Sequence, residues 1–387
     1  MVCSCDTDEA RGRGKMTRLW TPYFVLPNVQ LSDAIECDIA AIAPANDQRV
    51  AALKRQHPMF RRFLNRFADN FGEKFEPAAL ILDMNAARSF QTIDALAGFR
   101  DVVAISTVTQ SRAQQIVQPR GLRVCFGEAF ALYPWMLDRN YEDLIGNTPA
   151  ILGTHEVASF RGQSSPALPR HSLRPSEIDG PLFEALVAGW KRQFSSAAPV
   201  WADTVLMRSL NMAYNATLLP AGTDTTLYDV GRIISLWVSA FEILVHPGGT
   251  GQANRDRVFD LIEKTPWVAK ASAALSYDTG GKVKVKRTAA SWLYQKLLDR
   301  RNDFLHGNPV DRASLILEIP KRSLFEFAAP LYRLALTSFL CLKLGTPAPD
   351  ENDLEFASYI AGLTAFQGPQ LRSEKAVLAA LKPRVAS

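Results

Sequence analysis

The periodicity of this chain changes character near residue 181, and that change limits what the chain can fold into more than any other feature. Beyond it, helical patterns follow one another through 182–194, 201–219, 226–245, 255–264, 288–306 and 321–344, with further stretches at 350–366 and 374–381. Apolar residues three and four apart fall on one stripe of an α-helix, so this part is expected to be a helical bundle. Before residue 181, short apolar runs of strand length at 20–27, 102–108, 122–127 and 149–154 are mixed with helical segments at 50–72 and 89–100. The run at 78–84 suits a buried strand or a short helix, and 34–43 suits either type. The expected architecture is an α+β region at 18–175 followed by an all-α domain at 178–366. Residues 1–17 are polar and without period, which reads as a disordered tail that starts at Met1 or at Met16. Residues 367–387 read as a C-terminal tail, and 160–177, rich in Ser, Pro, Arg and Gly, read as the linker.

In the first region, Phe60, Phe63, Leu64, Phe67 and Phe71 recur at helical steps while Arg61, Arg62 and Arg66 lie elsewhere, and Gly72 supplies a stop. An aromatic stripe with arginines invites a nucleic-acid reading. Core packing under solvated arginines is the stronger one. No cluster in this region reads as catalytic.

Composition narrows the classes. With 47% hydrophobic and 21% charged residues the chain is neither disordered nor membranous in type. A net charge of +5 permits an anionic partner without requiring one. Cys3, Cys5, Cys37, Cys125 and Cys341 have no zinc-ligand spacing, and Thr154-His155-Glu156 lacks a second histidine one helical turn away. Neither a metal nor a cofactor is therefore expected. The most apolar stretch, 325–344, is interrupted by Pro330, Arg333 and Lys343, and no apolar leader opens the chain, so a cytoplasmic protein without a membrane span is expected. His246-Pro-Gly-Gly-Thr-Gly-Gln252 lacks the Gly-Lys-Ser/Thr ending of a phosphate loop and reads as a mobile connection.

Chemistry concentrates in Arg300-Arg301-Asn302-Asp303-Phe304-Leu305-His306-Gly307, which closes the helical segment 288–306. Leu293, Leu297, Phe304 and Leu305 fit a buried face, with Trp292 and Tyr294 nearby. Arg301 is a permanent cation able to grip a phosphate with two parallel hydrogen bonds. His306 can exchange a proton near neutral pH, and Asn302 can donate or accept beside it. On an ideal helix five residues turn Arg301 and His306 about 140° apart, so the pair converges only if the helix loosens at its end. The plain alternative is that His306 complements a helix C-terminus and Arg301 makes a surface ion pair. Upstream, Glu242 interrupts the apolar run Leu236-Trp237-Val238-Ser239-Ala240-Phe241-Glu242-Ile243-Leu244 and needs solvent or a partner. Arg301 is its natural partner, with Glu242 orienting the guanidinium or taking part as a base. Lys282, Lys284, Lys286 and Arg287, alternating with valine, suit a basic edge strand along a nucleic-acid backbone or a solvated loop, and Arg300 adds charge beside them.

Arg301-Asn302 followed by His306 at a helix end resembles the signature of HEPN domains, helical modules of many prokaryotic ribonucleases in toxin–antitoxin and phage-defence systems. The run Trp237 to Leu244 resembles the glutamate-bearing helix of the ApeA-like HEPN branch, and the two elements come in the same order. The resemblance covers roughly the C-terminal half of the chain. It implies a metal-independent endoribonuclease working through Arg301, His306, Glu242 and Asn302, with RNA as substrate. It also implies a homodimer in which two motifs face one cleft. HEPN modules serve as inactive scaffolds too, so RNA binding or dimerisation without catalysis is the alternative. By analogy alone, the N-terminal region would then sense a regulatory ligand or partner.

Overall fold

A computed structural model of the chain describes residues 19–69, 71–118, 127–134, 144–148, 151–157, 160–161, 173–218, 226–270, 276–278, 285–317, 321–342 and 349–381. The expected tail at 1–17, the middle of the expected linker (162–172) and all but Gly127 of the expected strand at 122–127 lie outside them. A small sheet with attached helices comes first, and a mostly helical region follows.

The sheet contains β1 (Trp20–Leu26), β2 (Ile35–Glu36), β3 (Ala40–Ala43), β5 (Ala78–Asp83) and β6 (Tyr133–Pro134), in the order β2-β3-β5-β1-β6 with antiparallel neighbours. A separate two-residue strand, β4 (Phe67–Ala68), lies between β3 and β5 in sequence. Both faces of the sheet are buried. Phe24, Leu26, Leu80 and Leu82 point into the main core, and alternating with them Val25, Ala79 and Ile81 point into a smaller one. That double burial is why 78–84 is continuously apolar and forms a strand.

The smaller core is closed by α1 (Gln48–Gln56) and α2 (Pro58–Leu64). The expected helix over 50–72 is thus two short ones. His57 ends the first and Pro58 starts the second, where a missing N–H is harmless. Phe60, Phe63, Leu64 and Phe67 are buried as expected, but Phe71 is 80% exposed. Its amide and that of Glu73 both donate to Asp69 Oδ1, which puts Phe71 at the tip of a turn ended by Gly72 at φ +88°.

The largest departure from expectation is α3, one helix over Ile93–Val117 that replaces both the expected helix at 89–100 and the strand at 102–108. Its middle is buried on nearly all sides, from Asp101 to Ser111. The hydroxyls of Ser106, Thr107 and Thr109 donate to the carbonyls four residues earlier at 2.8, 2.8 and 2.7 Å, so strand-type residues leave no orphaned polar group there. Around it pack α4 (Gly180–Ser195), α5 (Trp201–Thr217), α9 (Ala328–Phe339) and α10 (Phe356–Ala379). Completing the bundle are α6 (Leu227–Leu244), α7 (Arg255–Glu263) and α8 (Ala289–Leu305).

Two further expectations are corrected near the C-terminus. Pro330 lies in the first turn of α9 and does not break it; the preceding residues Leu324–Phe327 form a 3₁₀ turn. Residues 367–379, expected within a tail, continue α10, with Gln370, Ser373, Glu374, Ala376 and Val377 buried. One apolar core runs from Phe24 to Ala380, so the sheet and the helices share it. No helix among the described residues is long and apolar enough to cross a membrane.

Candidate functional site

The end of α8 is placed by how that helix starts and stops. Thr288 caps its start, the hydroxyl accepting from the Ser291 amide at 3.3 Å. Buried Ala290, Leu293, Tyr294 and Leu297 seat it in the main core, in contact with α6 and α7. At its end Gly307 takes φ +70°, and the Asn308 amide returns to the Asp303 carbonyl at 2.9 Å. Asn308 Nδ2 adds a bond to Asp303 Oδ1 at 3.0 Å.

This reversal begins one residue after His306, whose own amide still donates to the Asn302 carbonyl at 2.9 Å. The helix therefore stays regular between Arg301 and His306, and the expected loosening is absent. Asn302 supplies the link instead. Arg301 Nη1 donates to Asn302 Oδ1 at 3.0 Å, and His306 follows Asn302 by four residues, one turn along the same face. His306 is exposed at the mouth of this row.

On its other side Arg301 Nη2 faces Glu242 Oε2 at 3.5 Å, with the two side chains 26% and 25% exposed. That distance marks an ion pair more than a hydrogen bond. Burial pushes the Glu242 carboxyl above its ordinary value, and the Arg301 charge works against that rise. Arg301 Nε is buried without a partner among the described residues. So is the hydroxyl of Tyr294, one residue that sequence reasoning noted only as a core neighbour. Its ring packs on Phe241 at 5.3 Å and edge-on to Phe259 at 5.8 Å, and burial, with the Glu242 charge adding to it, keeps the hydroxyl protonated.

Gly231 is the residue that sequence reasoning missed. A Cβ there would fall 2.5 Å from the Phe304 ring, so only glycine lets the end of α8 lie this close to α6. Phe304 is half-buried against it, whereas Leu305, expected in the core, is 59% exposed. Tyr228, Gly231, Ser235 and Glu242 share one side of α6, but that spacing alone does not name the partner of the glycine.

The expected basic contacts divide. Arg300 pairs with Asp303 at 3.0 Å. Arg287 bonds Glu263 at 3.1 Å and lies over the Phe259 ring at 4.0 Å, so its own fold uses it. Lys286 is exposed in a short strand, Lys286–Thr288, paired with Ser276–Asp278. Lys282 and Lys284 lie outside the described residues.

The glycine-rich loop after α6 is better anchored than expected. The Trp201 indole donates to the His246 carbonyl at 2.7 Å, and the Gly248 amide donates to His246 Nδ1 at 3.1 Å. His155 and Glu156 sit in a strand, Ile151–Val157. A cavity of about 20 Å³ between α3, α5 and α6, lined by Arg112, Thr217 and Trp237, has room for one water.

Chemically, the end of α8 offers a guanidinium already held by a carboxylate and an amide, beside an imidazole open to solvent. No family model, no curated protein and no solved structure matches the chain.

Proposed function

We propose that the chain is a HEPN-type endoribonuclease that cleaves RNA without a metal, as a homodimer in the cytoplasm, in phage defence or a stress response. The observation that supports this reading is Arg301, held between Glu242 and Asn302, with His306 solvent-open one turn beyond Asn302. Cleavage requires the ribose 2′-hydroxyl to attack the adjacent phosphorus while a base takes its proton. The bond to the 5′-oxygen then breaks as an acid protonates that oxygen, leaving a 2′,3′-cyclic phosphate and a 5′-hydroxyl. Arg301 stabilises the charge on the phosphorane oxygens. Two chains facing one cleft bring two His306 imidazoles, one for each proton transfer.

One observation favours a second reading, an inactive HEPN scaffold with ligand sensing by the N-terminal region. Glu242 already neutralises Arg301, and a resting enzyme must release that cation before it can bind phosphate. The test is cleavage of RNA in the presence of chelator by wild type, His306→Ala and Arg301→Ala. Products ending in a 2′,3′-cyclic phosphate, absent from both variants at unchanged melting temperature, are expected. RNA binding without cleavage by the folded wild-type dimer would favour the scaffold. Cleavage that survives both substitutions would move the chemistry elsewhere in the chain.

A further inference from the structure

We infer that Tyr228 is a stacking platform for an unpaired RNA base beside this site, which makes the substrate single-stranded; the inference rests on the nuclease reading above. Tyr228 is 80% exposed in the first turn of α6. Its backbone neighbourhood is rigid, because Thr226 and Asp229 bond each other reciprocally in a capping box.

Position gives the ring its meaning. Tyr228, Gly231 and Glu242 lie on one side of α6, and α8 covers that side at two of them. Phe304 packs on Gly231, and Arg301 pairs with Glu242. Tyr228 is one turn further along, just past the level at which Phe304 seats the last turn of α8. An aromatic face therefore stands exposed one turn before Gly231, where Phe304 packs, and His306 follows Phe304 by two residues. Leu305, 59% exposed, adds an apolar surface on the α8 side.

Charge completes the patch. Arg232, four residues after Tyr228 and on the same stripe, is 66% exposed and tied only loosely to Asp229 at 3.6 Å. A base on the Tyr228 ring would place its phosphate within reach of that guanidinium. Every base has a π-face, so such a platform holds unpaired RNA without reading sequence, while a duplex keeps its bases stacked inside.

The test uses the full chain carrying His306→Ala, so that RNA is bound and not cut. The probe is a single-stranded oligoribonucleotide with one 2-aminopurine, whose fluorescence is quenched on stacking. Adding Tyr228→Ala is expected to weaken binding roughly ten-fold and remove the quenching. Tyr228→Trp and Tyr228→Phe are expected to keep both, and binding of duplex RNA is expected to change little. Single-strand binding unaffected by Tyr228→Ala would overturn this inference and leave the nuclease reading intact. Equal weakening of single strand and duplex would also overturn it. Failure of the His306→Ala chain to bind RNA, together with failure of the wild type to cut it, would remove the nuclease reading and the platform with it.

Discussion

Glu242 is a carboxylate whose burial works against its charge, and its titration carries a stability consequence of definite sign. Its folded-state pKa is raised, so between the unfolded and folded values the folded chain holds more protons. Stability contributed by this residue is therefore greatest at low pH and falls as pH rises through the raised value. Glu242→Gln removes the titration. Denaturant melts across that window should show the wild type losing ground to the variant as pH increases; a difference independent of pH would contradict this. The same substitution separates two roles for the carboxylate. If Glu242 only orients Arg301, the glutamine keeps an acceptor there, RNA binds more tightly, and cleavage stays within about ten-fold. If Glu242 is a base, cleavage drops by roughly a hundred-fold or more.

At the scale of elements, the approach of α8 to α6 depends on Gly231. Adding a methyl group there drives into the Phe304 ring, and Gly231→Ala is expected to cost about 1–3 kcal/mol and to displace the end of α8. Pairing it with Phe304→Leu should restore part of the loss, read by thermal melts of the single and double variants. Equal stability of Gly231→Ala and wild type would refute the tight seat. Little of this contact was legible beforehand, because a mid-helix glycine does not announce its partner. The helices α4 to α8 were legible to within about two residues of their ends, since each has an apolar stripe, whereas α9 is shorter than the expected 321–344 and α10 joins two stretches expected to be separate. The pairing of Arg301 with Glu242 was also legible, as a carboxylate in an apolar run needs a counter-charge. What failed was α3. Val102 to Val108 is strand-like in composition, and only burial on all sides, with hydroxyls bonded to the carbonyls four residues back, makes it helical. Phe71 failed for the opposite reason, because a local Asp69 turn overrode the helical period.

Across the whole molecule, one buried ion pair ties together segments far apart in sequence. Arg333 Nε donates to Asp179 Oδ2 at 2.8 Å with both side chains fully buried. Asp179 also caps α4 through the Leu182 amide, and its own amide donates to the Ser106 carbonyl in α3. Arg333 reaches Thr337 and Gln370, and Gln370 bonds Glu374, which accepts the amides of Val268 and Ala269 at 2.7 and 3.0 Å. Four helices and a loop meet in this network, and α3 carries it to the sheet through the shared core. Asp179→Asn leaves Arg333 buried with a neutral partner, which is expected to cost about 3–5 kcal/mol. Because the loss strikes the common core, amides of β5 and α9 should lose hydrogen-exchange protection together, in one cooperative opening. Strand amides that stay protected while the helices open would show that the sheet region stands as a separate domain, divided near residue 175 as the sequence pattern alone suggests.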